Sequence, residues 1–284
     1  MSSGLLWFSV AIMAACLLFK KNLKIAELFC GAAWVLFGLY WLTLVPAFYE
    51  KGDYVNILLV CLLFLFCLLL AHFAARAFTD KTQRGGPHYP NAKESDKKVG
   101  AFFDLTKLVA IVCIIYMPFQ LIVYLNHALI ENVAVQTVYL LNVFGYDAVQ
   151  TAFDQIAYNG TLVSVILACT AIESIAFFTG LVLTAHASGP GRKTLVFLAT
   201  VPVIYVLNLI RNAFVVVSFG DLWFGASSFE IAHHYIAKAG SGIVLIVLAY
   251  ATLKLLPELM DTGADLRDLV VDEVKRILNS EKKR

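Results

Sequence analysis

Long runs of apolar residues constrain the fold of this chain more than any other feature of its sequence. A helix needs about 20 predominantly apolar residues to cross the hydrocarbon core of a membrane. Seven segments meet this requirement, at residues 4–19, 26–48, 54–75, 104–125, 161–186, 194–219 and 232–256. Only 15% of the residues are charged and 60% are apolar. The predicted fold class is therefore all-α, a polytopic bundle of about seven transmembrane helices.

Three further segments complete the predicted architecture. An apolar stretch at 126–146 is interrupted by polar residues, which favours an extracellular re-entrant or interfacial helix over a span. Residues 79–100 are charged and contain Gly-Gly-Pro, so they are predicted to form a basic cytoplasmic loop within a transmembrane domain of residues 1–256. The tail at 257–284 alternates apolar and charged residues and is predicted to be a cytoplasmic amphipathic helix.

The Lys and Arg residues predict the orientation in the membrane. The net charge is only +2, but the basic residues concentrate after the first, third and fifth predicted spans and in the tail, whereas residues 126–160 contain none. With seven spans, the positive-inside rule places the amino terminus outside and the carboxyl terminus in the cytoplasm of a multi-pass cell-membrane protein. The Asn159-Gly160-Thr161 glycosylation sequon then lies outside. Nothing in the sequence suggests nucleic-acid binding.

Cysteine usage indicates neither a disulfide framework nor a metal site. The six cysteines lie mostly in apolar runs, where a free thiol packs as a small hydrophobe, and no metal or cofactor is predicted. Cys169 is of special interest because Glu173 follows it within the same apolar run. A charged group inside a membrane helix is costly unless it is paired, neutral or hydrated, which makes this pair a candidate functional feature.

Three polar features of the last three spans are predicted to share the outer half of the membrane. Cys169 is expected eight residues into a helix that begins at Thr161, roughly 12 Å below that end. Arg211 lies in the outer half of the next span, and the His233-His234 pair opens the last one from the same side.

These residue types together suit acyl transfer. A thiolate is a nucleophile, a guanidinium stabilises a thiolate or a developing oxyanion, and an imidazole moves protons near neutral pH. Glu173 is expected on the same face as Cys169, where it orients the site, pairs with Arg211 or only caps a polar seam. Asn208, three residues before Arg211, is expected to hydrogen-bond the backbone of a neighbouring helix.

At these residues the chain resembles the exosortase and archaeosortase family of membrane cysteine transpeptidases. The resemblance rests on three ordered motifs, LACTAI at 167–172, VLNLIRN at 206–212 and FEIAHHYIAK at 229–238. Residues 33–46, 116–119 and 135–137 add to it. The family usually has Gly at the position of Ala171 and a small or amide residue at that of Glu173, and its third catalytic position varies between His and Arg.

The resemblance implies a protein-sorting reaction in which Cys169 attacks a peptide bond near the carboxyl terminus of a surface-layer or secreted, membrane-tethered protein. Arg211 would hold the thiolate or oxyanion and His234 would act as general acid or base, with His233 and Lys238 as alternatives for the third position. Substrates of the family carry a Pro-Gly-Phe-type signal, a membrane helix and a basic tail, and the acyl group passes from the thioester to a lipid-type acceptor. Membrane lipids would surround the enzyme, and the site would face the outer half of the bilayer.

Two other classes of protein remain open at this point. In a transporter or channel, Arg211, Glu173 and His234 would line the path, but the sequence lacks the internal repeats typical of transporters. A purely structural membrane subunit would make Cys169 dispensable. A zinc protease is disfavoured because the His233-His234 pair provides no sufficient ligand set.

Overall fold

The chain folds mainly into helices. The computed structural model describes residues 2–18, 23–83 and 92–281. The α-helices are α1 (Ser2–Leu18), α2 (Leu23–Leu42), α3 (Val45–Glu50), α4 (Tyr54–Gln83), α5 (Ala92–Leu121), α6 (Val123–Val143), α7 (Ile172–Thr184), α8 (Pro190–Gly220), α9 (Lys238–Leu255) and α10 (Glu258–Glu281). Three strands, β1 (Val149–Ala152), β2 (Gln155–Tyr158) and β3 (Thr161–Ser164), lie between α6 and α7. Short 3-10 helices cover Leu167–Cys169 and Gly225–Ser227, and a π-helical segment, Glu230–Ala237, runs directly into α9.

Helices of membrane-spanning length confirm that this is a membrane protein. Among the described residues, five helices are long and apolar enough to cross a membrane: Ala26–Glu50, Tyr54–Ala77, Asp96–Leu121, Pro190–Gly220 and Glu230–Leu255. They coincide with the second, third, fourth, sixth and seventh predicted spans. The first and fifth predicted spans correspond to shorter apolar helices, Gly4–Leu17 and Ile172–Thr184. The number of spans and the orientation therefore stay predictions.

Two sequence predictions of local structure are wrong. The loop predicted at 79–100 is helical at both ends, because α4 continues to Gln83 and α5 begins at Ala92; its Gly-Gly-Pro lies outside the described residues. The span predicted at 161–186 does not begin as a helix. Its first residues form strand β3, and α7 starts only at Ile172.

A three-stranded antiparallel sheet, in the order β1-β2-β3, explains the second error. Asn159 and Gly160, which join β2 to β3, have φ angles of 46° and 77°. Positive φ at both central residues is what a two-residue hairpin turn of type I′ requires, and Asn-Gly adopts it readily. Beyond the turn Val163 and Val165 are buried while Leu162 is exposed, the period-2 alternation of a half-buried strand.

The chain divides into two compact units, of which the first comprises residues 1–110 and 260–284. There α2 packs against α1 and α4. Gly38 permits this close packing, since an added Cβ would lie 2.9 Å from the Phe64 ring and 3.0 Å from the Cβ of Cys67. On α10, the buried Glu273 carboxylate accepts hydrogen bonds from the guanidinium of Arg76 (Nη2 to Oε2, 2.9 Å) and lies 2.8 Å from Nδ1 of His72. These charge-assisted contacts hold α10 against α4.

The second unit, residues 111–259, contains the sheet and the last three apolar helices. The hairpin between β2 and β3 docks on the end of α8, because Nδ2 of Asn159 donates to the Gly220 carbonyl at 3.0 Å and the Tyr158 hydroxyl donates to Asp221 at 3.0 Å. Any side chain at Gly220 would collide with the Tyr158 ring. The buried face of the sheet, α6 and α8 then share one apolar core, whose buried members are Ile130, Val133, Ala134, Leu141, Ala148, Ile156, Val163, Val165, Cys169, Val216 and Val217.

Candidate active site

Cys169 lies at the end of a 3-10 turn rather than inside a helix. Its backbone N–H donates to the Ile166 carbonyl at 2.7 Å, and the chain reaches α7 through Ala171, which adopts a left-handed conformation with φ 59° and ψ 11°. The predicted depth of Cys169 along a helix beginning at Thr161, and its predicted face shared with Glu173, are therefore wrong. The 3-10 turn instead leaves the Cys169 side chain 9% exposed at the margin of the apolar core.

The backbone carbonyl of Cys169 is held by two amide side chains from α8. Nδ2 of Asn208 donates to it at 2.7 Å and Nδ2 of Asn212 donates at 3.0 Å. Both amides are buried, and their spacing of four residues puts them on one face of the helix. The expectation that Asn208 bonds a neighbouring backbone is confirmed, and the pair fixes the turn that carries the thiol.

Arg211 connects to the same network through Asn212. Its Nη1 lies 3.4 Å from Oδ1 of Asn212, whose Nδ2 holds the Cys169 carbonyl. Its Nε is buried and has no hydrogen-bond partner among the described residues. A partly buried guanidinium with a spare donor is well suited to bind an anionic atom that arrives later.

The two adjacent histidines differ in their surroundings. Both belong to the π-helical segment Glu230–Ala237, a rare helix type that is frequent at functional sites. His233 is half-buried and stacks on Phe229, with ring centroids 5.2 Å apart and an interplanar angle of 10°, and its Nδ1 is buried without a partner in the described chain. His234 and Lys238 are exposed.

A small cavity joins Cys169 to His233. It encloses about 30 Å³, and its lining includes Cys169, Asn212, Phe229, His233 and Ser164. This volume accommodates about one water molecule. The cavity thus brings together a thiol, an imidazole and an amide within a largely apolar environment, which is the set of groups that thiol-based acyl transfer uses.

Glu173 lies apart from Arg211. It is exposed, and its Oε1 accepts a hydrogen bond from the Tyr116 hydroxyl at 3.0 Å. Of the three roles considered for Glu173, pairing with Arg211 is not seen in the described chain, because the helix that carries Glu173 starts after the Cys169 turn. No three His, Cys, Asp or Glu side chains in the described part of the chain come together in a way that could hold a metal ion.

Several residues of this region were not predicted from the sequence. Asn212 follows Arg211 directly, and its spacing of four residues from Asn208 was the available signal. Phe229 lay inside the third motif, although nothing in the sequence indicates that it stacks on a histidine. The Tyr205 hydroxyl donates to Gln136 on α6 at 2.8 Å, a contact that only the packing of α6 against α8 reveals.

Comparisons with known proteins identify the relatives of this chain. A family model described as transmembrane exosortase matches residues 3–254. The chain is 30% identical over 278 residues to archaeosortase A of Haloferax volcanii, covering 85% of this chain and 84% of that protein. It is 24% identical over 291 residues to archaeosortase A of Natronomonas pharaonis, covering 90% of this chain and 84% of that protein. No solved structure matches the chain significantly.

Proposed function

Because the chain belongs to the transmembrane exosortase family, we propose that it is a membrane-embedded cysteine transpeptidase with Cys169 as its nucleophile. It cleaves the carboxyl-terminal sorting signal of surface-layer or other secreted, membrane-tethered proteins and transfers them to a lipid-type acceptor. The observation that carries this proposal is the cavity shared by Cys169, His233 and Asn212. Relatives named archaeosortase A supply the sorting role.

The proposed reaction has two halves. The Cys169 sulfur attacks the carbonyl carbon of the scissile peptide bond, a C–S bond forms, the C–N bond breaks, and the thiol proton passes to the leaving amine. In the second half, the hydroxyl or amine of the acceptor attacks the thioester carbonyl carbon, a C–O or C–N bond forms and the C–S bond breaks. The proton of the acceptor passes to the departing sulfur and regenerates the thiol. No change of oxidation state occurs in either half.

Arg211 is proposed to stabilise negative charge in both halves. Its buried Nε has no partner in the described residues, and the Asn212 amide fixes the other side of the guanidinium relative to the Cys169 turn. A preorganised donor of this kind stabilises the oxyanion of the tetrahedral intermediate more than the neutral carbonyl. Arg211 is therefore assigned charge stabilisation and no role as a base, since a guanidinium stays protonated.

His233 is proposed to carry the proton. The sequence pattern favoured His234 for this role, but His233 is the histidine that lines the cavity with Cys169, whereas His234 is exposed. Stacking on Phe229 orients the His233 ring. An imidazole in this position accepts the thiol proton and returns it to the leaving amine, the usual role of a general acid and base.

Replacement of Cys169 tests the proposal. A reporter carrying a Pro-Gly-Phe-type signal, a membrane helix and a basic tail is followed by gel mobility in cells that express Cys169→Ala or Cys169→Ser. Both variants are expected to leave the reporter unprocessed. Cys113→Ala is the matched control, since Cys113 is also a buried thiol but lies outside the cavity. Normal processing in Cys169→Ala would sink the transpeptidase assignment.

The two histidines are separated by the same reporter. His233→Ala is expected to slow processing by about 100-fold or more, the usual contribution of a general acid and base. His234→Ala is expected to stay within a few-fold of the parent, because that ring is exposed. The reverse ranking would return the role to His234.

A further inference from the structure

Strand β3 has a free edge. In a two-residue hairpin the residues that flank the turn, here Tyr158 and Thr161, form a hydrogen-bonded pair, and pairing alternates from there along the ladder. Thr161 and Val163 therefore direct their backbone groups at β2, and the Val165 N–H continues this pattern by donating to the Asp154 carbonyl at 2.7 Å. The backbone groups of Leu162 and Ser164 point away from the sheet.

The outward backbone groups of β3 have no hydrogen-bond partner among the described residues. β3 is the last strand in the order β1-β2-β3. No hydrogen bond from the described residues reaches the backbone of Leu162 or Ser164 beyond the sheet. An open strand edge of this kind is a template for pairing with another extended chain.

This edge leads directly to the proposed nucleophile. Ser164 lines the cavity together with Cys169 and His233, and only the short turn after β3 separates the strand from the thiol. The cavity of about 30 Å³ is too small for a peptide. The cavity can therefore take only the reacting carbonyl group of a bound peptide, and the rest of the peptide must lie outside it.

We propose that the outer edge of β3 binds an extended segment of the substrate polypeptide as a fourth strand and so positions the scissile carbonyl at Cys169. This inference rests on the proposed function. The occupant is a polypeptide because the free groups are alternating backbone donors and acceptors, which an extended chain matches and a lipid does not. Leu162 and Ile166 expose apolar side chains, 59% and 56% exposed, beside this edge, and these suit apolar substrate residues near the cleavage site.

The opposite edge of the sheet provides a matched comparison. β1 forms that edge, its register with β2 is interrupted by a bulge between Gln150 and Ala152, and none of its residues lines the cavity. The pairing of Val149 with Ala157 leaves the Gln150 backbone directed outward, as the Ser164 backbone is on β3.

Proline substitution tests the role of the edge. Ser164→Pro removes an N–H that makes no hydrogen bond within the part of the chain that the structure describes, so the sheet is expected to persist. The variant loses one backbone hydrogen bond to the substrate, and the proline ring adds steric bulk at the strand edge. Reporter processing is therefore expected to slow by about 10-fold or more. Ser164→Ala, which changes the same side chain but keeps the N–H, is the reference against which the loss in Ser164→Pro is measured. Gln150→Pro on the other edge should process within two-fold of the parent. Alkylation of Cys169 by iodoacetamide at the parental rate checks that the site remains folded.

Cross-linking tests the proposal without proline. In a Cys169→Ser background with the exposed Cys61 changed to Ala, Leu162→Cys should form a disulfide with a reporter that has one Cys beside its cleavage site, since paired strands bring Cβ atoms to about 5 Å. Gln150→Cys should not form this disulfide. Parental processing in Ser164→Pro, or equal cross-linking at the two edges, would overturn strand pairing. If Cys169→Ala fails to process the reporter in the same experiments, the proposed function still stands. Processing by Cys169→Ala would instead remove the proposed function itself.

Discussion

Two hydrogen bonds to the Cys169 carbonyl allow a quantitative test of how the site is built. Asn208 and Asn212 donate to this one acceptor at 2.7 and 3.0 Å, and both side chains are buried. Asn208→Ala leaves the carbonyl with one donor and is expected to lower the free energy of unfolding by about 1 kcal/mol. Asn212→Ala is expected to cost somewhat more, because Arg211 loses its acceptor as well.

The double variant is expected to be worse than the sum of the single variants. With both amides removed, the buried carbonyl has no donor, and an unsatisfied buried acceptor costs about 1–3 kcal/mol. The coupling free energy in the double-mutant cycle should therefore be about 1–2 kcal/mol. Without these two hydrogen bonds the 3-10 turn that carries Cys169 should also become more mobile. Reporter processing is therefore expected to fall by more than the loss of stability alone explains.

Unfolding by SDS in mixed micelles, followed by tryptophan fluorescence, measures the four free energies. Asn142→Ala is a control in the same unit but outside the cavity, because the Asn142 side chain donates to the Ala148 carbonyl at 3.1 Å and accepts from the Ala148 N–H at 3.0 Å. It should lower stability by about 1 kcal/mol and leave the rate of Cys169 alkylation unchanged. Additive single effects, with a coupling near zero, would refute the view that the two amides jointly satisfy a buried carbonyl.

Three further substitutions test other parts of the fold. Ala171→Gly should raise the free energy of unfolding by about 0.5–1 kcal/mol in the same SDS titration, because φ of 59° is strained for Ala and free for Gly. Gly220→Ala should lower it by about 1–3 kcal/mol, since the methyl group would collide with an aromatic ring of β2; unchanged stability would contradict the tight docking of the hairpin. Arg76→Met should lower it by about 3 kcal/mol, because the Glu273 side chain, 1% exposed, loses its guanidinium partner; a thermal melt that matches the parent would show that this carboxylate is hydrated.

The membrane-spanning helices were predictable from the sequence because hydropathy acts on every residue of a span. Five predicted spans coincide with helices of sufficient length, and the end of α8 at Gly220 follows the sixth predicted segment closely. The two remaining segments gave shorter helices. Hydropathy alone does not separate a full span from a short apolar helix, because both bury the same kind of side chain.

The sheet was missed for a specific reason. Residues 161–166 are mostly apolar, and this apolarity was assigned to the helix that follows. The alternation of buried Val163 and Val165 with exposed neighbours, after the Asn159-Gly160 turn, is a hairpin signal that the glycosylation reading of Asn159 obscured. The same error placed Cys169 on a helix and Glu173 on its face.

The motifs identified several residues of the site, and the structure shows which of them contact one another. The motifs singled out Cys169, Asn208 and Arg211. In the structure Asn208 donates directly to the Cys169 carbonyl, and Arg211 connects to it through Asn212. The motifs favoured His234, whereas His233 is the histidine that lines the cavity, because adjacent residues of a helix point their side chains in different directions. The direction of each side chain depends on the π-helical segment, which no sequence pattern predicted. Ala171, a departure from the glycine usual in the family, occupies the left-handed position where glycine is the favoured residue.

Mass spectrometry of a trapped acyl-enzyme tests the central claim most directly. The full-length protein is incubated in membranes with the reporter, quenched in acid during turnover, and digested. The expected result is an adduct on the peptide that contains Cys169, with the mass of the upstream part of the reporter. Hydroxylamine cleaves thioesters and should therefore remove this adduct. Processing that continues with no such adduct on Cys169, or with the adduct on another residue, would contradict the assignment of Cys169 as the nucleophile.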